Sequence, residues 1–459
     1  MSDLSGIFEI GKRALLAYRQ ALNTTAHNIA NINTPGFSRQ QAVLGASLSP
    51  SSDAGQVGTG VEVLLVRRLR DEFLDAQYRA ESKDLGRWES LSQTLGQIEE
   101  IFLEPSESGL RNRLDEFWNG WHDLANDPEN LGSRHSLIRR AESLTHTFHR
   151  LVDGLKELRL SLDSQVAHKV KEINSIAKQI AELNLGILTA EGNGNEASDL
   201  RDRRDLLLDR LSAIMDIKVI QEENGSISLR AAGKVLVEKG NIRGLSLKSI
   251  SDGGITLSMP VWEEDESTVR VGGGSLKALM EARDDLIPAY EAKLNRLTEE
   301  LVTSVNEIHS KGFGLDGTAG IHFFDPAKLR ADNIALDGEI ISDASKIAAS
   351  SDGSPGDNSV AMAIAALKNL PRMEDGTITF NHYYSSLIAE IGAESKGASG
   401  EATAHQLLID QLENRRESLK GVSLDEEMID LIKFQRAYQA AARIVSRVDE
   451  IMDVILGMV

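Results

Sequence analysis

The chain has 459 residues, 41% of them hydrophobic, with 70 acidic against 50 basic side chains and a formal charge of −20. That length suits roughly two to four domains, and the acidic balance repels nucleic acid and anionic membrane surfaces, so neither is expected as a partner. The absence of cysteine rules out disulfides, thiolate nucleophiles and thiolate metal sites.

At the start, Leu4, Phe8, Gly11, Leu15, Tyr18, Leu22, Thr25, Ile29 and Ile32 recur at spacings of three and four. This predicts a helix with a coiled-coil-like seam. Its longest apolar run, Ala14 to Ala17, is far short of the about 7 to 15 residues of a secretory signal core. Nothing approaches a membrane span, so the chain is expected in the cytoplasm, or outside the cell by a route that reads no cleaved signal. Asn31-Ile-Asn-Thr-Pro-Gly-Phe37 stops the helix and turns the chain. A polar stretch from Ser47 to Gly60 follows, then a short strand through Val61, Val63 and Leu65 before helix resumes near Asp71.

Trp88, Leu91, Leu95, Ile98 and Phe102 form a second seam, and Leu110, Leu114, Phe117, Trp121 and Leu124 a third. The longest runs from Leu137 to Ile187 with no proline between Ser133 and Thr189. Unbroken, it makes a rod of roughly 85 Å and an elongated molecule. Glu191 to Glu196 reads as a loop, after which Ser198 with Asp199 caps a short charged helix ending near Ser212. From Asp216 to Gly274 the period drops toward two, with hairpin signals at Asn224-Gly225 and Gly233-Lys234, predicting a small antiparallel β domain. Helix returns from Ser275 to about Ser310, Lys311 to Asp357 reads as irregular, and Ser359 to Leu370 and Asn381 to Lys420 are helical. Ser423-Leu-Asp-Glu426 has the form of a capping box opening the last helix, whose seam is Leu431, Phe434, Tyr438, Ala441, Val445, Val448, Met452, Ile455 and Val459.

The fold class is therefore mainly α with an inserted β domain: an elongated helical stem, assembled from both ends of the chain, carrying a small antiparallel β unit. The expected division is a terminal coiled coil (1–37 with 421–459), a helical stem (38–215 with 275–312 and 355–420), a β domain (216–274) and an irregular outer segment (313–354). A helix pair buries one stripe per helix, yet Ile7, Ile10, Leu16, Ile429, Ile432, Ile444 and Ile451 lie off that stripe. They need a second neighbour.

Motifs for chemistry are weak. Gly192 to Ala197 fits a dinucleotide glycine pattern but follows a helix where that chemistry needs a strand. Gly272-Gly-Gly-Ser275 lacks a Walker lysine and reads as a hinge. His146 and His149, one turn apart near His122 and His135, have no carboxylate at ligand spacing, so a metal is not expected. Glu263 to Glu266 is a solvated acidic turn without a calcium-loop register. Neither Gly-x-Ser-x-Gly nor His-Glu-x-x-His occurs, and no enzyme or cofactor is expected.

Ala26-His-Asn-Ile-Ala-Asn-Ile-Asn-Thr-Pro-Gly-Phe37 resembles the amino-terminal signature of the bacterial flagellar axial proteins, the family of rod, hook and hook-filament junction subunits. Thr34 to Gln40, Gly58 to Val63, Asp71 to Gln77, Glu104 to Leu110, Gly421 to Met428 and Phe434 to Arg443 are similar to its junction members. The resemblance covers roughly 1–215 and 355–459 and leaves the middle unplaced. It implies a structural, non-enzymatic subunit in a ring or helical stack, its terminal helices lining an inner tube and its β domain facing outward. It implies export through the flagellar type III apparatus, an export chaperone on the C-terminal helix, and the hook protein and second junction protein as neighbours. Members usually carry a larger central insertion, so a reduced outer part is expected here. On this reading copies pack through Leu15, Leu22, Asn28, Ile29, Asn31, Asn33, Pro35, Gly36 and Phe37, and through Leu431, Phe434, Gln435, Tyr438, Val445, Val448, Met452 and Ile455. The alternatives are a hook or rod subunit or, from another class, a cytoplasmic coiled-coil scaffold with a β recognition domain.

Overall fold

The computed structural model describes residues 2–48, 51–52, 55–56, 58–192, 196–222 and 224–456. The first helix, α1 (Ser2–Ala30), ends at the asparagine-rich turn and is followed by a long hairpin of β1 (Gln40–Ala46) and β4 (Val61–Arg68). Two-residue strands β2 (Ser51–Ser52) and β3 (Gly55–Gln56) pair near its tip. The sequence reading found only the second hairpin strand, because Gln-Gln-Ala-Val-Leu-Gly-Ala lacks a polar–apolar alternation. Next comes α2 (Glu72–Phe102), whose N-cap Asp71 accepts the Phe73 and Leu74 amides. Helices α3 (Leu110–Asn126) and α4 (Leu131–Glu191) form an antiparallel pair, and α5 (Ser198–Ile214) folds back along the end of α4.

The α4 helix is one unbroken element of 61 residues, about 90 Å long at about 1.5 Å per residue. It is the spine. Its apolar side chains from Leu137 to Ile187 are mostly buried, first against α3, then against the strands and α5, with Leu160 and Leu185 left exposed. Strands β5 (Ile217–Gln221), β6 (Ile227–Ala231), β7 (Lys234–Glu238) and β8 (Asn241–Ile242) make a four-stranded antiparallel sheet in sequence order. A separate hairpin joins β9 (Leu245–Asp252) to β10 (Ile255–Trp262).

Both sheets are pinned to α4 by asparagines that imitate a strand neighbour. The Asn174 amide donates to the Leu245 carbonyl at 2.7 Å and its oxygen accepts the Leu245 amide at 2.9 Å. One end of Asn184 donates to the Ile227 and Lys239 carbonyls at 2.9 and 3.0 Å. Ile227, Leu229, Val237, Leu245 and Trp262 consequently join the same core as the helices.

Helix α6 (Gly274–Glu281) runs through a π-helical turn (Ala282–Leu286) into α7 (Ile287–His309). The wholly buried Arg283 on that turn binds Asp163 of α4 at 2.6 Å and the Ser258 carbonyl at 2.8 Å. The segment read as irregular contains α8 (Gly338–Ser342), isolated bridges and turns, followed by α9 (Ser359–Ala366). Finally α10 (Phe380–Lys420) returns antiparallel to α2, with His405 meeting Glu81 and Ser395 meeting Glu99, and α11 (Leu424–Leu456) closes the chain. No described helix is long and apolar enough to cross a membrane.

Two capping expectations are corrected. No side-chain cap bond forms at the start of α5, where Ala197 takes the cap position and Asp199 turns instead to His27 and Gln40. The capping box before α11 is diverted as well, since Glu426 gives its carboxylate to Arg39. A cation across a tertiary contact outcompetes an amide of the same turn. Asn193 to Asn195 of the glycine-rich loop, and Val459 of the last seam, lie outside the described residues.

The outer end is organised by two buried polar residues of α7. Asn306 accepts the Phe323 and Phe324 amides, both at 2.9 Å, and donates to the Phe324 carbonyl. His309 donates from Nδ1 to the Ile321 carbonyl at 2.8 Å and accepts the Ala348 amide at Nε2 at 2.9 Å, which fixes the neutral ring. Burial pulls its pKa from 6.5 to about 4. The unfolded chain takes up this proton near 6.5 while the fold resists it until about 4, so the contribution is whole above 6.5 and drains away as pH falls through that window. His309→Gln, which cannot titrate, is expected to flatten the loss of unfolding free energy between pH 7 and pH 4 by about 3 kcal/mol. Urea unfolding followed by tryptophan fluorescence reads it, since Trp121 packs edge-on at 6.0 Å from His309.

Candidate functional site: the joint between the terminal helices and the stem

The terminal helices α1 and α11 lie antiparallel, with Tyr18 and Phe434 rings 6.5 Å apart and Gly11 under Val445 and Ala441. A Cβ on Gly11 would sit 2.7 Å from the Val445 side chain. On the other side α1 carries the β1–β4 hairpin, where Gly60 (φ +108°) passes against the Ile10 backbone. Enclosed from two sides, α1 buries small residues: Ala17, Ala21, Thr24, Thr25 and Asn28.

The seam residues occupy a looser position. Leu15, Leu22, Ile29, Leu431, Phe434, Tyr438 and Val445 are half-buried, and Val448 is buried. Gln435 is exposed, and Met452 and Ile455 stand 36% and 37% exposed near the free end of the pair. Off the seam, Ile7, Leu16, Ile429, Ile432, Ile444 and Ile451 are all 44% exposed or more, Ile444 lying at the edge of the pairing face beside Gly11.

The asparagine-rich turn is the clip between this pair and the rest. Asn28 is 1% exposed. Its Nδ2 donates to the Gln40 carbonyl at 2.8 Å and to Glu427 at 3.0 Å, while its Oδ1 accepts the Gln40 amide at 2.9 Å. One side chain thus ties the end of α1, the start of β1 and the first turn of α11. Arg39 completes the tie, donating to Glu427 and Glu426, each at 2.6 Å, and from its backbone amide to the Lys420 carbonyl at 2.8 Å. Asn31 caps the end of α1 through the His27 carbonyl at 3.0 Å and accepts Thr34 at 3.1 Å. Asn33 and Pro35 are exposed, Gly36 (φ +81°) turns the chain against Leu206, and Phe37 packs edge-on to His27 at 5.5 Å. Only a residue tolerating positive φ fits at Gly36.

Behind the clip lies an arginine–carboxylate network that sequence reasoning missed. Asp202 of α5 accepts the Ser38 amide and hydroxyl, both at 2.8 Å, and Arg68 at 2.9 Å. Arg68 also reaches Asp205 and Glu196, Arg70 binds Asp75 at 2.5 Å, and Arg416 of α10 binds Asp75 and Asp209 at 2.9 and 2.7 Å. The Arg416 guanidinium covers the Tyr78 ring at 4.2 Å. Burial pushes the Asp202 carboxyl up, against the pull of Arg68 and Ser38. Burial acts likewise on Asp205, but Arg70, Arg68 and Arg79 hold it below its ordinary value. Such residues are scattered from position 38 to 416, so no local pattern announces them. Arg443 of α11 makes no ion pair among the described residues. His146 and His149 lie elsewhere, the latter engaged by the Ile334 carbonyl at 2.9 Å.

Long helices drawn from both chain ends, clipped at one place and left half-covered beyond it, define a subunit of an axial assembly. The family model for the helical domain of flagellar hook-associated protein FlgK matches residues 95–324, that for the C-terminal part of the flagellar basal body rod proteins FlgEFG matches 419–458, and that for the flagella basal body rod protein matches 8–37. Flagellar hook-associated protein 1 of Bacillus subtilis is 32% identical over 98% of this chain and 97% of its own. The Escherichia coli protein of that name is 24% identical over 99% and 100%. The solved flagellar hook junction protein FlgK of Burkholderia pseudomallei superposes with a TM-score of 0.65 at 15% identity, covering 76% of this chain and all of that one. The chain belongs to the flagellar hook-associated protein 1 family, and it is a structural component of the bacterial flagellum, outside the cell. The family model reaches residue 324, well into the middle of the chain that the sequence resemblance left unplaced. The alignment to the E. coli relative runs over 547 positions, so that relative holds residues this shorter chain lacks.

Asn28→Ala is expected to leave the Gln40 amide and one of the two Glu427 oxygens without their partner, destabilising the joint by about 1 to 3 kcal/mol. Asn28→Asp should be worse at neutral pH, because it sets a second carboxylate against Glu427 and removes both donors. Amide exchange at Gln40 and in the first turn of α11 measures the order, which should be wild type, Ala, Asp from slowest to fastest.

Proposed function

We propose that this chain is a non-enzymatic structural subunit of the hook-filament junction, coupling two helical lattices through a short ring or stack of its own copies. The observation that carries the packing mode is the apolar face left open on α1 and α11 after they have paired. Burial of such a face stabilises by about 25 cal/mol per Å², and only neighbouring copies can supply the cover along the whole length of both helices.

The working division has the helix pair (1–37 with 421–459) as the inner, lattice-forming part and the stem (38–215 with 275–312 and 355–420) as the spacer. The strands (216–274) and the outer segment (313–354) face away from the axis. The seam residues named above, with Asn33, Pro35 and Gln435 at the surface, are the packing positions between copies. The hook protein and the second junction protein are the neighbours above and below. The chain leaves the cell unfolded through the flagellar type III apparatus, and an export chaperone covers the apolar C-terminal helix beforehand. The long stem favours a junction subunit over a hook or rod subunit.

Deleting residues 430–459 is expected to abolish chaperone binding and incorporation into flagella, and a strain carrying only this version should lack attached filaments. Electron microscopy and co-purification read the two effects. Filaments still anchored by the truncated chain would refute the packing mode.

A further inference from the structure

Along residues 4–16 of α1, Gly11 alone is buried. It occupies a seam position between Phe8 and Leu15, where a coiled-coil-like pair takes a large apolar side chain. Facing it on α11 are Ala441, 4% exposed, and Val445. A Cβ added to Gly11 would meet Val445 Cγ2 at 2.7 Å, Ile444 Cγ2 at 3.6 Å and the Ala441 carbonyl oxygen at 3.7 Å. Only the first of these is an overlap. Valine in a helix is held to essentially one χ1 rotamer, so Val445 cannot turn its methyl aside, and the two helices themselves would have to part.

The pair is thus gripped at two places. At one, the buried Glu427 is bound by Asn28 and Arg39. The other is Gly11 against Ala441 and Val445, about 25 Å along α1 from Asn28. Between the grips the seam is looser, padded by the half-buried rings of Tyr18 and Phe434 at 6.5 Å. Glycine inside a helix is less favourable than alanine, so its presence at position 11 answers to the neighbour that needs the space. Gly6, on the same helix, has no such neighbour, since a Cβ there would meet nothing within 4 Å.

We propose that Gly11 is the positioning residue of the helix pair: by admitting Val445 it sets how closely α11 lies on α1, and with that where the outward side chains of α11 stand when a neighbouring copy meets them. Ile444 is the side chain most directly placed, because it borders Gly11 on one side and is 45% exposed on the other. The inference rests on the assembly reading above and adds to it the residue that fixes the shape of the assembling surface.

Alanine separates this role from ordinary helix stability, because replacing a helical glycine by alanine favours the helix unless space is lacking. Full-length Gly11→Ala, Gly6→Ala and Gly11→Ala/Val445→Ala versions are expressed at equal levels in a flagellated strain lacking its own copy, and attached filaments are counted by electron microscopy. Gly11→Ala should leave about tenfold fewer than the unsubstituted chain, the scale of overpacking one close contact. Gly6→Ala should match the unsubstituted chain. Removing the Val445 methyls takes away the only overlap, so the double version should exceed Gly11→Ala alone by about fivefold, a coupling expected of residues in contact. A Gly11→Ala chain that anchors filaments as well as the unsubstituted one, an equal loss from Gly6→Ala, or a double version no better than Gly11→Ala would each overturn the assignment while leaving the junction reading intact. Failure of the unsubstituted chain to anchor filaments would instead sink that reading.

Discussion

The carboxamide of Asn28 is the constraint on which the architecture turns. Both chain ends must contribute helices to one pair, and the chain passes between pair and stem where α1 gives way to β1 and α10 to α11. At that point a single buried amide satisfies a strand residue and a glutamate of the opposite terminus. Glutamine would not reach with the same two-sided geometry, and a carboxylate could accept but not donate. Arg39 then neutralises Glu427, which would otherwise be a buried, uncompensated charge. The clip and the salt bridge are therefore one unit, and each is stable because the other is present.

The same logic runs down the stem. A chain with no cysteine and a charge of −20 has neither cross-links nor a neutral surface to hold its parts together. It uses arginine instead, because a planar fork can satisfy two carboxylates from different helices at once. Arg70 and Arg416 each do this, joining Asp75 of α2 to carboxylates of α5, while Arg68 ties β4 to two carboxylates of α5. Arg283 repeats it farther along, from a π-helical turn that sets its guanidinium between α4 and β10. The spine is thus locked to its neighbours at intervals by short, directional contacts, and the apolar core between them fixes the spacing.

Periodicity made the helices legible, α4 above all, because a seam that never breaks over fifty residues can only be a long helix. Asn224-Gly225 and Gly233-Lys234 marked the sheet for the same local reason. What stayed hidden is non-local. Asn174 and Asn184 read as ordinary polar positions on a helix until the strands they bind are in place. Asp199 read as a helix cap and is in fact committed to His27 and Gln40, over 150 residues away. In the clip, the turn residues were visible as a signature, whereas Ser38, Asp202 and Glu427 give no sign of their partners in the sequence alone.

The open face of α11 poses a problem that its own composition answers. Isoleucines exposed along a whole helix invite indiscriminate association, yet here Lys433, Arg436, Arg443 and Arg447 interrupt them every few residues. Of these, Lys433 and Arg447 pair with Asp430 and Glu450 of the same helix, whereas Arg436 and Arg443 make no ion pair among the described residues. The arginine stems still lie over apolar surface once a neighbour arrives, keeping the charged heads at the rim. A face built this way keeps water beside each exposed isoleucine while it is bare, because the charged heads stay solvated.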